Sequence, residues 1–260
     1  MKNMYKMFED FFDSNNIEIR GRISASDCKL VYPHLMPEGI KSVVVWLLPY
    51  YTGPHPDRNI SLYAVSKDYH AFAKELGNRL VETAKKAFPD GEFYCFCDTS
   101  PIDEVGAAIS AGLGVVGRNG LLINEKYGSY VFIGSVLTTL EMECEKPKER
   151  KNCLGCGKCV SSCGFLAGKK SYCHSSLTQQ KNVTDEELAE IRSKKIRWGC
   201  DLCQEVCPMN KDVPQTPVSF FYEDMREYLT PEDVENMSKA EFSERAYCWR
   251  GKKTMIRNLS

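Results

Sequence analysis

The apolar positions of this chain change period as it proceeds, and each change marks an element. Met4, Met7, Phe8, Phe11 and Phe12 recur at helical spacing and predict an amphipathic helix over residues 2–15. The run IEIRGRI alternates apolar and polar positions, which predicts a strand over 17–23. SVVVWLL, residues 42–48, is continuously apolar and β-branched, the pattern of a buried strand. A loop rich in proline and glycine comes next, PYYTGPHPDRN. Leu62, Val65, Tyr69, Phe72, Leu76, Leu80 and Ala84 then keep one face, so one long helix is expected over 61–87. Residues 93–97 read as a short strand ending at Asp98. Pro101 suits the first turn of a helix whose buried side is Ile102, Val105 and Ile109. Gly112, Gly114 and Gly117 end that helix, and strand-like runs occupy 120–124 and 130–139. Strands alternating with helices to about residue 142 predict an α/β (α+β) domain.

The charged stretch EMECEKPKERKN is the expected boundary, and the chain beyond it has a different character. Three helix starts are legible there from capping chemistry: Thr184 with Glu187, Thr230 with Pro231 behind it, and Ser238 with Glu241. The expected organisation is an α/β domain over 1–142, a cysteine-rich domain over 143–215 and a short helical tail over 216–260.

Composition narrows the class. With 260 residues, 43% hydrophobic and 27% charged, the chain has the profile of a soluble globular protein. A net charge of −1 gives no bulk attraction to nucleic acid or anionic membrane, so either partner would be met by a local patch. No apolar run reaches 18 residues and the N-terminus lacks the shape of a signal peptide, which predicts a cytoplasmic protein with no membrane partner. Thirteen cysteines in such a chain point to metal ligation in a reducing compartment.

Their spacing is specific. CLGCGKCVSSC, from Cys153 to Cys163, is C-x2-C-x2-C-x3-C, in which three thiolates hold a four-iron cluster and the fourth crosses to a second one. GCDLCQEVCP supplies the reciprocal crossover. Two such clusters need eight thiolates; the two runs give seven, and Cys173 is the eighth. Cys153, Cys156, Cys159 and Cys207 are assigned to one [4Fe–4S] cluster and Cys163, Cys173, Cys200 and Cys203 to the other. Structural zinc or disulfides are the alternatives, and zinc sites ordinarily use two separated pairs.

A domain ahead of such a wire suggests that its electrons are consumed within the chain. Asp98, at a strand end running into a helix start, is the first candidate for the chemistry, with capping of the next helix as the competing role. The glycine-rich segment 112–120 contains G-x-G-x-x-G, but it comes after a helix rather than a strand, so a helix C-cap and turn competes with a ligand-approach loop. His70 on the long helix is either a ligand or an ordinary hydrogen-bonded histidine, and Cys95 and Cys97 share one strand face, where buried inert thiols are common.

Taken in order, Asp98-Thr-Ser-Pro, Ala111-Gly-Leu-Gly-Val-Val-Gly-Arg-Asn-Gly-Leu-Leu-Ile, Gly128-Ser-Tyr-Val-Phe-Ile-Gly, the first cysteine run, Cys173-His-Ser-Ser-Leu-Thr and Gly199-Cys-Asp-Leu-Cys-Gln-Glu-Val-Cys-Pro resemble the epoxyqueuosine reductase family. Asp68-Tyr-His and residues 250–258 fit it as well, so the likeness runs from about residue 40 to the end. The resemblance implies a cobalamin-binding α/β domain, related to reductive dehalogenases, fused to a ferredoxin-like double-cluster domain, in a short form without the C-terminal helical repeats of many members. It implies that Asp98 donates a proton to the epoxide oxygen, which reverses the balance between catalysis and capping. Cobalamin contacts are implied at Arg118, Asn119, Leu122, Ile133, Ser135, Ser175 and Asp201. A low-potential donor such as flavodoxin or ferredoxin would supply electrons, and tRNA would be the substrate carrier. Lys194, Lys195, Arg197, Arg250, Lys252, Lys253 and Arg257 are the basic residues available to phosphates, or else solvated helix faces. Departures from the family pattern are Val115 for tryptophan, Arg118 for lysine, Gly120 for threonine and Gly164 for proline. The other class open to the chain is a non-catalytic two-cluster electron carrier.

Overall fold

The computed structural model describes residues 2–144, 146 and 152–260. The chain forms two compact units, one from residues 1–50 and 70–155, the other from 51–69 and 156–260. Of the charged stretch expected to separate the domains, residues 145 and 147–151 lie outside the described residues.

The first unit runs α1 (Lys2–Ser14), β1 (Arg20–Ser24), β2 (Ser42–Pro49), α2 (Tyr69–Ala87), β3 (Phe93–Cys97), α3 (Glu104–Ser110), β4 (Val115–Val116), β5 (Leu122–Ile123) and β6 (Val131–Thr138). Four strands make one sheet in the order β1-β2-β6-β3, and every pair in it is antiparallel. The mixed helix–strand character expected from the sequence is therefore present, in its α+β form. β2 and β6 lie at the centre, and all eight residues of β2 are buried, which is why that stretch reads as an unbroken apolar run.

Each sheet face has its own cover. On one, Phe8 of α1 meets Phe93 edge-on at 6.2 Å between ring centroids, and Phe12 packs on Trp46 at 5.8 Å. Gly134 faces Trp46 across the β2–β6 register, and a Cβ there would stand 2.2 Å from the indole, so only glycine admits the ring. On the other face Val43, Val45, Leu47 and Leu137 form a core with Ala107, Ala108 and Ile109 of α3 and Leu122 of β5.

The long helix expected over 61–87 begins only at Tyr69. Its apolar stripe is real, but the two ends of the stripe serve different cores. Ile60, Ala64 and Val65 belong to the core of the second unit with Trp198, Leu229, Val234, Tyr247 and Met255. Lys67 makes a β-bridge to Arg245, and the Asp68 N–H donates to the Glu244 carbonyl. Backbone groups engaged with the second unit in this way are unavailable for helical bonds.

The second unit is a set of short helices: α4 (Lys158–Ser162), α5 (His174–Thr178), α6 (Asp185–Ser193), α7 (Leu202–Glu205), α8 (Pro231–Asn236), α9 (Lys239–Ser243) and α10 (Lys252–Leu259). The three starts read from the sequence are all reciprocal capping boxes, Thr184 with Glu187, Thr230 with Asp233, and Ser238 with Glu241. Among the described residues no helix is long and apolar enough to cross a membrane.

Candidate functional site

In the first unit the chemistry gathers where β3 ends. The strand stops at Cys97, and Asp98 takes a left-handed backbone with φ 72°, a conformation uncommon outside glycine and best tolerated by Asp and Asn. The Thr99 N–H donates back to the Cys97 carbonyl at 3.0 Å, closing a tight turn. The Asp98 side chain is 57% exposed and its Oδ2 lies 3.1 Å from Nε2 of His70, one residue into α2. His70 is thus brought to the aspartate by tertiary packing, not by sequence proximity.

Asp98 does not cap the next helix. That helix starts at Glu104, and its cap is Asp103, whose Oδ1 accepts the Gly106 N–H at 3.0 Å. Asp98 therefore keeps its left-handed turn without the role that would most simply account for it. The rule that ligands sit at carboxyl ends of strands belongs to parallel sheets; in this antiparallel sheet Asp98 stands on its own geometry.

Glu104 carries no sequence signal of function, since an acid in a helix's first turn is commonplace. In the folded chain its Oε1 is fully enclosed with no hydrogen-bond partner among the described residues. Burial pushes its carboxyl up to about 8, and the neighbouring charges of Asp98 and Asp103 push the same way, against the favourable influence of the nearby Asp98 backbone.

A cavity of about 280 Å³ opens beside the turn, lined by His70, Lys74, Asn78, Cys95, Cys97 and Thr99 among others. Cys95 packs against Gly77 of α2, where a Cβ would stand 2.6 Å from its Sγ. Burial raises the Cys95 thiol to about 12, so it is an inert packing group.

The glycine-rich segment serves first as a helix C-cap and then as a turn. Gly112, at φ 78°, comes after the end of α3 as a left-handed C-terminal residue, and the chain then forms the β4–β5 hairpin. Arg118 and Asn119 lie between its strands, with Asn119 Oδ1 accepting the Leu121 N–H. Leu122 is 4% exposed within the core, so its side chain faces the protein. On β6, Ile133 is half-buried, while Ser135 is 1% exposed and its hydroxyl has no hydrogen-bond partner among the described residues. Cys153 also belongs to this unit, its N–H donating to the Val116 carbonyl at 3.1 Å.

The remaining seven expected ligands are in the second unit. Gly155 and Gly157, at φ 69° and 75°, give the first run its tight turns. α4, carrying Cys159, packs on α7, carrying Cys203. Cys163 closes α4, Cys173 opens α5 and Cys207 precedes Pro208. Burial raises the Cys200 thiol to about 12, and Asp201, Cys173 and Cys203 add to the rise, so those three thiols are electrostatic neighbours. Among the described residues no cysteine is in a disulfide, and no three ligand-type side chains are grouped so as to hold a metal ion.

One expectation for this unit changes. The Asp201 carboxylate is 1% exposed and accepts from the Ser61 hydroxyl, the Leu62 N–H and Arg58, with Gln204 Nε2 at 3.4 Å. A carboxylate so enclosed has no oxygen to offer a cofactor; it ties the 51–69 segment to the cysteine region within the unit. Ser175 Oγ accepts from Gln179 Nε2 at 3.0 Å. Of the basic residues, Lys195, Arg197, Lys252 and Arg257 donate to backbone carbonyls of their own unit, and Arg250 stacks on Trp249 at 3.9 Å. Arg58, Ser61 and Glu104 are the residues sequence reasoning missed. The partners of Arg58 and Ser61 lie far along the chain, and Glu104 is enclosed only by packing, neither of which any periodicity reports.

Residues 31–99 match the family described as epoxyqueuosine reductase QueG, DUF1730. The epoxyqueuosine reductase of Lactococcus garvieae is 34% identical over 210 residues, covering 74% of this chain and 58% of that protein. That of Synechocystis sp. is 31% identical over 224 residues, 81% of this chain and 77% of that protein. A crystal structure of epoxyqueuosine reductase with an epoxyqueuosine-modified tRNA-Tyr stem loop has a TM-score of 0.82 at 25% identity, covering 99% of this chain and 80% of that one. The chain spans a little over half the length of several curated relatives it matches, at 58%, 53% and 57%.

Proposed function

Since this chain belongs to the epoxyqueuosine reductase family, we propose that it is an oxidoreductase that converts the epoxide of epoxyqueuosine in tRNA to the alkene of queuosine. The observation that carries the reading is the exposed Asp98 carboxyl, set on a left-handed turn, bonded to His70 and relieved of capping by Asp103. The reaction takes two electrons and two protons: the two C–O bonds of the epoxide break, the alkene forms, and the oxygen leaves as water. Asp98 donates a proton to that oxygen, and His70 orients the carboxyl.

Two [4Fe–4S] clusters relay the electrons in single steps, held by Cys153, Cys156, Cys159 and Cys207 and by Cys163, Cys173, Cys200 and Cys203. The nearness of Cys173 and Cys203 to Cys200 and the packing of α4 on α7 support a shared metal site of this kind. Cobalamin, when bound, supplies a cobalt centre reducible to a strongly nucleophilic state. The enclosed, unpartnered Ser135 hydroxyl is the polar atom of this chain that best fits such a ligand, and Arg118, Asn119, Ile133 and Ser175 are the other side chains that would hold it, with Leu122 available through its backbone. In this reading residues 1–142 hold cobalamin and substrate, 143–215 form a ferredoxin-like double-cluster domain, and 216–260 are a helical tail. A low-potential flavodoxin or ferredoxin is the donor class such clusters require.

The test is reconstitution with iron, sulfide and cobalamin, then nucleoside analysis of epoxyqueuosine-containing tRNA. Queuosine should appear with wild-type protein and not with Asp98→Ala, at unchanged iron content and corrinoid binding. Iron uptake without corrinoid binding would leave an electron carrier instead.

A further inference from the structure

The edge strand β1 carries a second polar site, at the far end of α3 from the Asp98 turn. Alternate residues of a strand share a face, so Arg20 and Arg22 stand side by side. Gly21 between them meets the end of α3, where a Cβ would stand 2.9 Å from the Ala111 carbonyl oxygen. Beside that close approach lies a cavity of about 160 Å³, lined by Arg20, Arg22, Lys146, Tyr5 and Ser110 together with Gly21 and Ala111. Three cations and no acid line it. Asp13, outside the lining, pairs with Arg20 at 2.7 Å. Arg22 has no carboxylate partner among the described residues. Its guanidinium lies over the Tyr5 ring at 3.9 Å, a contact that uses the face of the group and leaves its N–H edge to other partners. Nε on that edge is sealed from solvent and has no hydrogen-bond partner among the described residues. An enclosed donor without an acceptor costs stability, and the stack on Tyr5 holds it there.

We propose that this cavity is an anion site of the first unit that takes a phosphate group, either a free phosphate or a phosphodiester of RNA. Against the three cations stand Asp13 and the C-terminal end of α3, the latter equivalent to about half a negative charge, so the cavity stays net positive. Arginine forks match the oxygens of a phosphate, lysine adds a point charge, and the Ser110 hydroxyl is a further donor. The guanidinium of Arg22 is already fixed by its stack, so little ordering is left for binding to supply. The seven residues of α3, about 10 Å of helix, run between the Asp98 turn and the cavity. A phosphate held here takes no part in the chemistry at Asp98; it anchors the molecule that carries it. The assignment needs neither cobalamin nor clusters.

Inorganic phosphate is the first probe, titrated into the whole protein at constant ionic strength with chloride as the control anion and read by calorimetry and by melting temperature. The wild type should bind it and melt higher in phosphate than in chloride. Arg22→Gln should weaken binding at least about tenfold, and Lys146→Gln, at an exposed position, should weaken it severalfold. Should Arg22→Gln not fold, as judged by circular dichroism, Lys146→Gln decides alone. The second probe is an RNA stem loop. Where the RNA backbone occupies the site, Arg22→Gln lowers the slope of log K against log salt by about 1. An unmoved slope with phosphate binding lost assigns the site to a small phosphate-bearing molecule instead. The proposal is overturned if phosphate binds no better than chloride, or if the folded variants bind it like the wild type.

Discussion

Asp98 and His70, 28 residues apart in the chain, meet through a 3.1 Å contact between Oδ2 and Nε2. One is supplied by the end of β3 and the other by the start of α2, and both side chains are about half exposed, at 57% and 50%. An aspartate that holds a left-handed turn, leaves the cap of α3 to Asp103 and faces a histidine is placed for proton transfer rather than for stability. Asp98→Asn keeps its shape and removes its acidity, so it is expected to lower turnover about 10²–10⁴-fold with no loss of melting temperature. Single-turnover conversion of modified tRNA measures this, and turnover within threefold of wild type would rule the role out.

Stability should depend on pH through Glu104. In the folded chain it keeps its proton up to about 8, and in the unfolded chain it releases it near 4.5. Between those values the folded state binds more protons than the unfolded one, so the stability this group contributes is full below the lower value and is lost as pH rises through the higher one. The slope is about 1.4 kcal/mol per pH unit. Between pH 6 and 8 the wild type should lose up to about 3 kcal/mol relative to Glu104→Gln, read from urea midpoints at the two pH values.

Gly134 admits the Trp46 indole to the centre of the sheet. Gly134→Ala should destabilise by about 1–3 kcal/mol through overpacking, seen as a lower thermal midpoint by circular dichroism. An unshifted midpoint would mean that the ring has another place to go.

Cys173 is the cluster ligand identified by counting rather than by motif. Cys173→Ser should remove or degrade one of two clusters, leaving about half the iron and sulfide of the wild type after anaerobic reconstitution. Cys248→Ser, outside the proposed ligand set, should leave the iron content unchanged.

The buried pair of Arg58 with Asp201 should show the penalty of a lone buried charge. Arg58→Met is expected to destabilise by about 3–5 kcal/mol, and adding Asp201→Asn should recover part of it. Denaturant unfolding of the single and double variants separates the two effects.

By itself the sequence determined what local physics can encode. The three capping boxes need only residues three apart, the buried run of β2 needs only its own composition, and the cysteine spacings come from turns within one short segment. The tertiary structure decided what depends on partners distant in the chain. It divided one continuous apolar stripe between two cores at Tyr69, because residues 61–68 belong to the second unit and bond within it. It gave the cap of α3 to Asp103, enclosed the Asp201 carboxylate with Ser61 and Arg58, and sealed Glu104 Oε1 from solvent. Periodicity and spacing report which face of an element is buried; which acid is enclosed, and against which backbone, is fixed only when the elements pack.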